Sequence, residues 1–304
     1  MKRSALFFAS ALILAGEAFA DRGNHNGRGP VDVDLGLDNV IDATVDIGGD
    51  SVVNADLDVL DNSGAGEVSD VAASAVDYAT RQVNSGNQSA TLNLLSGAMG
   101  EIAGTAAAIG NSYSIESVAD AVSSVNQANS GAAYANANVS IDNSGIATAT
   151  TAAIGNTASA TSEVSTLATR STQSNSGYMT TQMNASVNDI SEATATAASI
   201  GNSLSVEIPG SGSMTAQQYN SGTMVAELNG QLVGFSDGTI TAAAIGNSAS
   251  LTSLNSDVVG NVMTRINQAN SGHQISTLAA QVSHGAEAAA TAASIGNTVN
   301  ISVQ

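Results

Sequence analysis

Three sets of carboxamides recur along the chain in steps of 45 to 50 residues: Gln82, Gln127, Gln173, Gln218 and Gln268; Asn84, Asn129, Asn175, Asn220 and Asn270; and Asn111, Asn156, Asn202, Asn247 and Asn297. A carboxamide carries two N–H donors and a carbonyl acceptor on one neutral group. Its chemistry is hydrogen bonding in two directions at once, not proton transfer or nucleophilic attack. Residues suited to catalysis do not group: His25, His273 and His284 lack a metal-ligand spacing, and no GxSxG elbow accompanies the many serines. The expectation is a protein that is not an enzyme, with no catalytic residue, metal or cofactor. Asp32, Asp34, Gly36 and Asp38 loosely match a DxDxG calcium loop. Acidic strands mimic such loops easily, so a solvated charged face is the expected reading there.

The elements that position these amides follow from the motifs that contain them. QxNSG stands at Gln82–Gly86, Gln127–Gly131, Gln173–Gly177, Gln218–Gly222 and Gln268–Gly272, and IGN at Ile109–Asn111, Ile154–Asn156, Ile200–Asn202, Ile245–Asn247 and Ile295–Asn297. Successive IGN copies are 45, 46, 45 and 50 residues apart. From the glycine of QxNSG to the glycine of the next IGN the distance is 24 residues in every copy, whereas the return takes 21, 22, 21 and 26. Insertions are accepted on one side only.

Within each copy the pattern has period two, the signature of strands. Thr148, Thr150, Ala152, Ile154 and Asn156 fall on one face, which Ala158 and Ala160 continue, and Leu92, Ala137, Met183, Leu228 and Leu278 form a matching column after QxNSG. That face is expected to be inward, which would make Thr105, Thr150, Thr196, Thr241 and Thr291, with Thr148, Thr194 and Thr239, interior ladders. Turn formers such as Asp142-Asn143-Ser144-Gly145 and Ser236-Asp237-Gly238 separate the strands. Glycine and β-branched residues interrupt every alanine cluster, which argues against helix.

Identity at fixed spacing points to an all-β β-solenoid of five repeats of about 45 residues, in which counterparts stack at about 4.8 Å and the Asn and Gln side chains form ladders. The motif glycines are expected to let the chain turn sharply beside each ladder. One large four-strand circuit per repeat is favoured over two short ones, because the two halves share no motif and stacking them would put glutamine beside alanine or isoleucine.

Composition sets the class. Lys2 and Arg3 precede the apolar run Ala5–Ala15, and Ala18-Phe19-Ala20 reads as a signal peptidase site, so residues 1–20 are expected to be a signal peptide. Residues 21–30 read as a flexible linker, 31–79 as an acidic degenerate β cap with twelve acidic residues between Asp32 and Asp77, and 80–304 as the repeat domain. No second long apolar run follows, so no transmembrane helix is expected. Cysteine is absent, so stability must come from packing and hydrogen bonds. Beyond the leader the chain has 25 acidic residues, five arginines and no lysine, a balance that repels nucleic acid. Phe235 is the only phenylalanine past the leader, so the interior is expected to be thin and built of small residues.

The words NQANSGAAYANAN (Asn126–Asn138) and IGNSAS (Ile245–Ser250) resemble those of curlin-type subunits of bacterial functional amyloid fibres, in style over residues 80–304. The repeat here is twice the curlin length, and QxNSG replaces QxGxxN. Similar words occur in holdfast-anchoring proteins of stalked bacteria. The resemblance implies an exported, extracellular or cell-surface fibre subunit that serves attachment or biofilm cohesion, with copies of itself or related subunits as partners and outer-membrane machinery for export. Gln304 follows eight residues after Gly296, and the uncharged stretch from Ala288 onward is expected to leave an end to which another copy adds head to tail. The alternative expectation is a monomeric surface β-solenoid that binds ice, or another surface ligand, through its threonine columns.

The two unequal intervals define a test. Two residues inserted between Asn255 and Val258 are expected to leave the melting temperature nearly unchanged, and two inserted between Gly222 and Gly246 to abolish cooperative unfolding. Equal effects would deprive the constant interval of structural meaning.

Overall fold

A computed structural model describes residues 41–44, 54–59, 64–68, 76–97, 101–117, 120–142, 145–162, 166–208, 210–253 and 262–303. The leader, the linker and the group Asp32, Asp34, Gly36 and Asp38 lie outside the described residues. Within them the regular elements are strands: β1 (Ile41–Thr44), β2 (Asn54–Val59), β3 (Gly64–Val68), β4 (Val76–Asn84), β5 (Gln88–Gly97), β6 (Glu101–Ser117), β7 (Ala121–Asn129), β8 (Ala133–Asp142), β9 (Ile146–Ser162), β10 (Leu167–Asn175), β11 (Met179–Ile208), β12 (Gly212–Asn220), β13 (Met224–Ser253), β14 (Val262–Asn270) and β15 (Gln274–Val303). No helix among these residues is long and apolar enough to cross a membrane.

The fold is all-β and its pairing is parallel. One sheet runs β2-β4-β7-β10-β12-β14; the other follows β1-β3-β6-β9-β11-β13-β15, with β5-β8 joined to it through β11. The motifs stay in register across every step. Gln82, Gln127, Gln173, Gln218 and Gln268 are successive partners, as are Asn111, Asn156, Asn202, Asn247 and Asn297. Each step between these strands is therefore one motif spacing. Nearer the N-terminus the step shortens to 23 residues, Ile41 pairing with Gly64 and Asn54 with Asp77.

Each set of strands at one level has two limbs beyond the QxNSG turn. They are separate as β5 and β6 and as β8 and β9, and continuous in β11, β13 and β15. In the long strands one residue takes the corner in a left-handed conformation: Asp189 (φ 51°), Gly234 (φ 67°) and His284 (φ 56°). The turn read at Ser236-Asp237-Gly238 lies just past that corner.

Apolar side chains fill thin compartments between the limbs. One holds Val139, Ile141, Met183, Leu228, Leu232, Phe235 and Ile240, with Ala147 and Ala149 opposite. A second, between the QxNSG strands and the tail of the IGN strands, holds Ile115, Val125, Leu167, Leu204, Val206, Ile208, Met214 and Leu251. Ala133, Ala153, Met179, Met224 and Ala244 belong to a third, nearer the turn. Phe235 is accommodated because Gly238 and Gly285 bring no Cβ against its ring.

The inward face changes phase at the IGN glycine. In β9 the side chains buried in these compartments are Ala147, Ala149 and Ala153 before Gly155, and Ala158 and Ala160 after it, with buried Asn156 in phase with the second set. The threonines therefore do not form interior ladders. Thr105, Thr194 and Thr291 are exposed, Thr148, Thr150, Thr196 and Thr239 are half-buried, and only Thr241 is buried. Ala152, Ile154 and Ile200 share their phase and form a separate cluster with Ala107, Ile109 and Ile245, each isoleucine stacked on the next.

The role expected of the motif glycines also changes. Among the described glycines only Gly234 has a left-handed φ. Gly155 is required by close approach: a Cβ there would collide with Asn175 Oδ1 and the Gly201 carbonyl. Gly177 likewise leaves no room between itself and the Gly131 carbonyl.

Burial has a consequence for alkaline stability. Tyr113 is buried, its hydroxyl 3.2 Å from Ser123 Oγ. Desolvation pushes its pKa up from 10.0 to about 12; the Ser123 hydrogen bond lowers it and Tyr78 raises it, both less strongly. The folded state keeps the phenol neutral while the unfolded chain ionises first. Its contribution is therefore complete below about pH 10 and lost as pH rises toward 12, on the order of 2–3 kcal/mol. Tyr113→Phe should flatten this fall in denaturant melts between pH 9 and 12; superimposable curves would contradict it.

Candidate functional site

The parallel register brings each carboxamide set into a continuous column. Asn84 Nδ2 donates to Asn129 Oδ1 at 2.6 Å, Asn129 to Asn175 at 2.8 Å, Asn175 to Asn220 at 2.9 Å and Asn220 to Asn270 at 2.7 Å. The IGN asparagines do the same, Asn111 to Asn156, Asn156 to Asn202, Asn202 to Asn247 and Asn247 to Asn297, each at 2.7 Å. The glutamines run the opposite way: Gln127 Nε2 donates to Gln82 Oε1 at 2.7 Å, Gln173 to Gln127 at 2.9 Å, Gln218 to Gln173 at 2.8 Å and Gln268 to Gln218 at 2.7 Å.

In the glutamine and IGN columns the side-chain N–H groups also tie the QxNSG strand to the IGN strand. Gln127 Nε2 also donates to the Thr157 carbonyl at 2.8 Å, Gln173 to Ser203, Gln218 to Ser248 and Gln268 to Thr298. Asn156 Nδ2 reaches the Ser174 carbonyl at 2.8 Å, and Asn202 the Tyr219 carbonyl at 2.9 Å. Gln127, Asn156, Gln173, Asn202, Gln218 and Asn247 are at most 1 % exposed. A buried carboxamide with both N–H groups used is inexpensive, whereas one left open costs about 1–3 kcal/mol.

A fourth column lies outside. Asn138 donates to Asn93 at 3.0 Å, Asn184 to Asn138 at 3.0 Å and Asn229 to Asn184 at 3.1 Å, all exposed. They line a shallow groove that crosses the levels, together with Ser140, Ser186, Gln231 and Gln281. Sequence reasoning missed these residues. Their signal was an asparagine seven positions after the QxNSG glycine, in four of five copies.

The face carrying β14 and β15 is uncovered. Val299 and Ile301 are 48 % and 52 % exposed, while Ala249 and Leu251, their partners in β13, are 1 % and 0 % exposed. These side chains continue the buried columns and have nothing stacked on them among the described residues. His273 and His284 are exposed, and no group of three or more His, Cys, Asp or Glu able to hold a metal occurs among the described residues.

The fold and the site together define a parallel all-β protein with hydrogen-bonded carboxamide columns running across its strands. Residues 38–210, more than half of the chain, match Holdfast attachment protein D, and the chain belongs to that family. The match takes in β1–β11. No curated protein and no solved structure matches the chain. Family membership gives the protein a role in surface attachment, at the cell surface or outside the cell.

The columns predict a sharp contrast between neighbouring residues. Asn202→Leu removes a donor to Tyr219 and Asn247 and the acceptor of Asn156, at a cost on the order of 3–5 kcal/mol. Ser203→Ala, half-buried beside it, should stay within about 0.5 kcal/mol. Denaturant midpoints measure both, and similar small shifts would remove the columns' structural role.

Proposed function

We propose that each motif spacing is one circuit of a β-solenoid, and that the chain is an exported structural subunit of an extracellular adhesion layer or amyloid-like fibre serving attachment and biofilm cohesion. The carboxamide columns are its structural ladders, and it carries out no catalysis. Residues 1–20 direct it out of the cytoplasm as a signal peptide, and outer-membrane machinery passes it to the surface. Copies join head to tail, each new one adding strands to the uncovered β14 and β15.

One observation carries this reading: buried columns continue into β15 and there become half exposed, as at Ile301. A parallel sheet edge of this kind offers unpaired backbone groups and an apolar surface in the same register. Addition of the same surface to itself in one direction gives an open assembly instead of a closed ring.

A second reading has its own support. With Thr148, Thr194 and Thr239 half-buried or exposed on the outside, a monomer would display a regular hydroxyl array to ice or another surface ligand. Inhibition of ice recrystallisation by a protein that never assembles would select that reading.

Electron microscopy and fibre diffraction of the mature protein test the first. Filaments with a meridional spacing near ~4.7 Å are expected, and Val299→Lys with Ile301→Lys should block growth while leaving the monomer's melting curve intact. A wild-type protein that stays monomeric at high concentration overturns the fibre.

A further inference from the structure

The first residue after each QxNSG turn to enter a strand follows a pattern that the motifs do not explain. It is Gln88 in β5, Ala133 in β8, Met179 in β11, Met224 in β13 and Gln274 in β15, and the pairing places all of these in one column. The three middle residues are apolar and 0 % exposed. Among the described residues β5 pairs only with β8 and β15 only with β13. At this position glutamine therefore stands on the two edge strands and on no interior one.

Each glutamine folds back on the asparagine four residues before it. Gln88 Nε2 donates to Asn84 Oδ1 at 3.1 Å and Asn84 Nδ2 donates to Gln88 Oε1 at 3.0 Å. At the other edge Asn270 Nδ2 donates to Gln274 Oε1 at 2.9 Å, and Gln274 Nε2 to Asn270 Oδ1 at 3.2 Å. The asparagine column donates from Asn84 toward Asn270, so its two ends need opposite partners. Among the described residues no earlier asparagine of the column donates to Asn84, whose Oδ1 otherwise takes only the Gly86 N–H at 3.2 Å, and no later one receives a bond from Asn270. A carboxamide meets both needs; alanine and methionine meet neither. At interior levels the neighbouring asparagines already supply these bonds, and a glutamine there would bury an amide without partners.

We infer that Gln88 and Gln274 are built-in stops on the asparagine column, and that Gln274 holds the β15 end closed against a second copy until its side chain swings away. The inference rests on the head-to-tail reading above and names its regulation. An incoming copy must offer Asn270 an acceptor of its own, and Gln274 already occupies that donor. The stop delays addition without preventing it, because one neutral hydrogen bond is exchanged for another.

The test replaces the stop with the residue that interior strands carry. Preformed wild-type filaments are supplied with Gln274→Met or wild-type monomer, and growth is followed by light scattering. Gln274→Met should grow roughly fivefold faster, the factor that corresponds to about one hydrogen bond. In the monomer, the Asn270 side-chain amide protons, read by NMR with labelled asparagine, should exchange faster by a similar factor. Should Gln274→Met fail to fold, Gln274→Ala, matching Ala133, serves in both measurements. Equal growth of variant and wild type overturns the stop and leaves the fibre standing. Absence of growth in either protein, at any concentration, overturns both.

Discussion

The hydrogen bond from one side-chain amide to the identical amide one strand away is the interaction on which this structure depends. It forms only where parallel strands lie in exact register at about 4.8 Å, and the Asn and Gln columns satisfy it at 2.6–2.9 Å over four successive steps. Because side chains alternate, a slip of one residue would turn every amide to the wrong face. Because the Gln and IGN side chains also donate to carbonyls across the interior, the same groups set the separation between the QxNSG and IGN strands. Register and cross-section are thus fixed by one chemistry.

That chemistry explains why so little apolar bulk suffices. Ala, Val, Leu, Ile and Met fill compartments only a side chain or two across, and the amides lie between the compartment with Leu204 and Met214 and the one with Met179 and Met224. The close approach of Asn175 to Gly155, and of Gly177 to the Gly131 carbonyl, leaves no room for a Cβ. Without cysteine, in a compartment where disulfides could form, hydrogen-bonded columns serve as the links between levels. For a protein of surface attachment this has a mechanical meaning: separating two levels requires three buried amide contacts and the backbone ladder to give way together.

Much of this was legible from residues alone. The constant 24-residue interval from Gly86 to Gly110, repeated four more times, selects the amides that must meet, because identity at fixed spacing has a physical cause only if the copies touch. The outer column of Asn93, Asn138, Asn184 and Asn229 carried the same kind of signal, hidden because its asparagines lie outside the two motifs. The N-terminal strands were less readable, since Ile41 to Gly64 and Asn54 to Asp77 take a step of 23 residues and share neither motif.

The sequence by itself determined which residues stack on which, since register follows from the spacing of the amides. Only the tertiary structure decided which side of each strand is inside. A period of two defines two faces without saying which is buried, and Gly155 exchanges them in mid-strand, so that Ala149 points in and Thr150 out before it, while Asn156 points in after it. The exchange falls at a glycine against which Asn175 from the next level packs too closely for any Cβ, a contact that no local pattern contains. The same holds for Gln88 and Gln274: in the sequence they are two glutamines among many, and only their places on edge strands give each a column end to close.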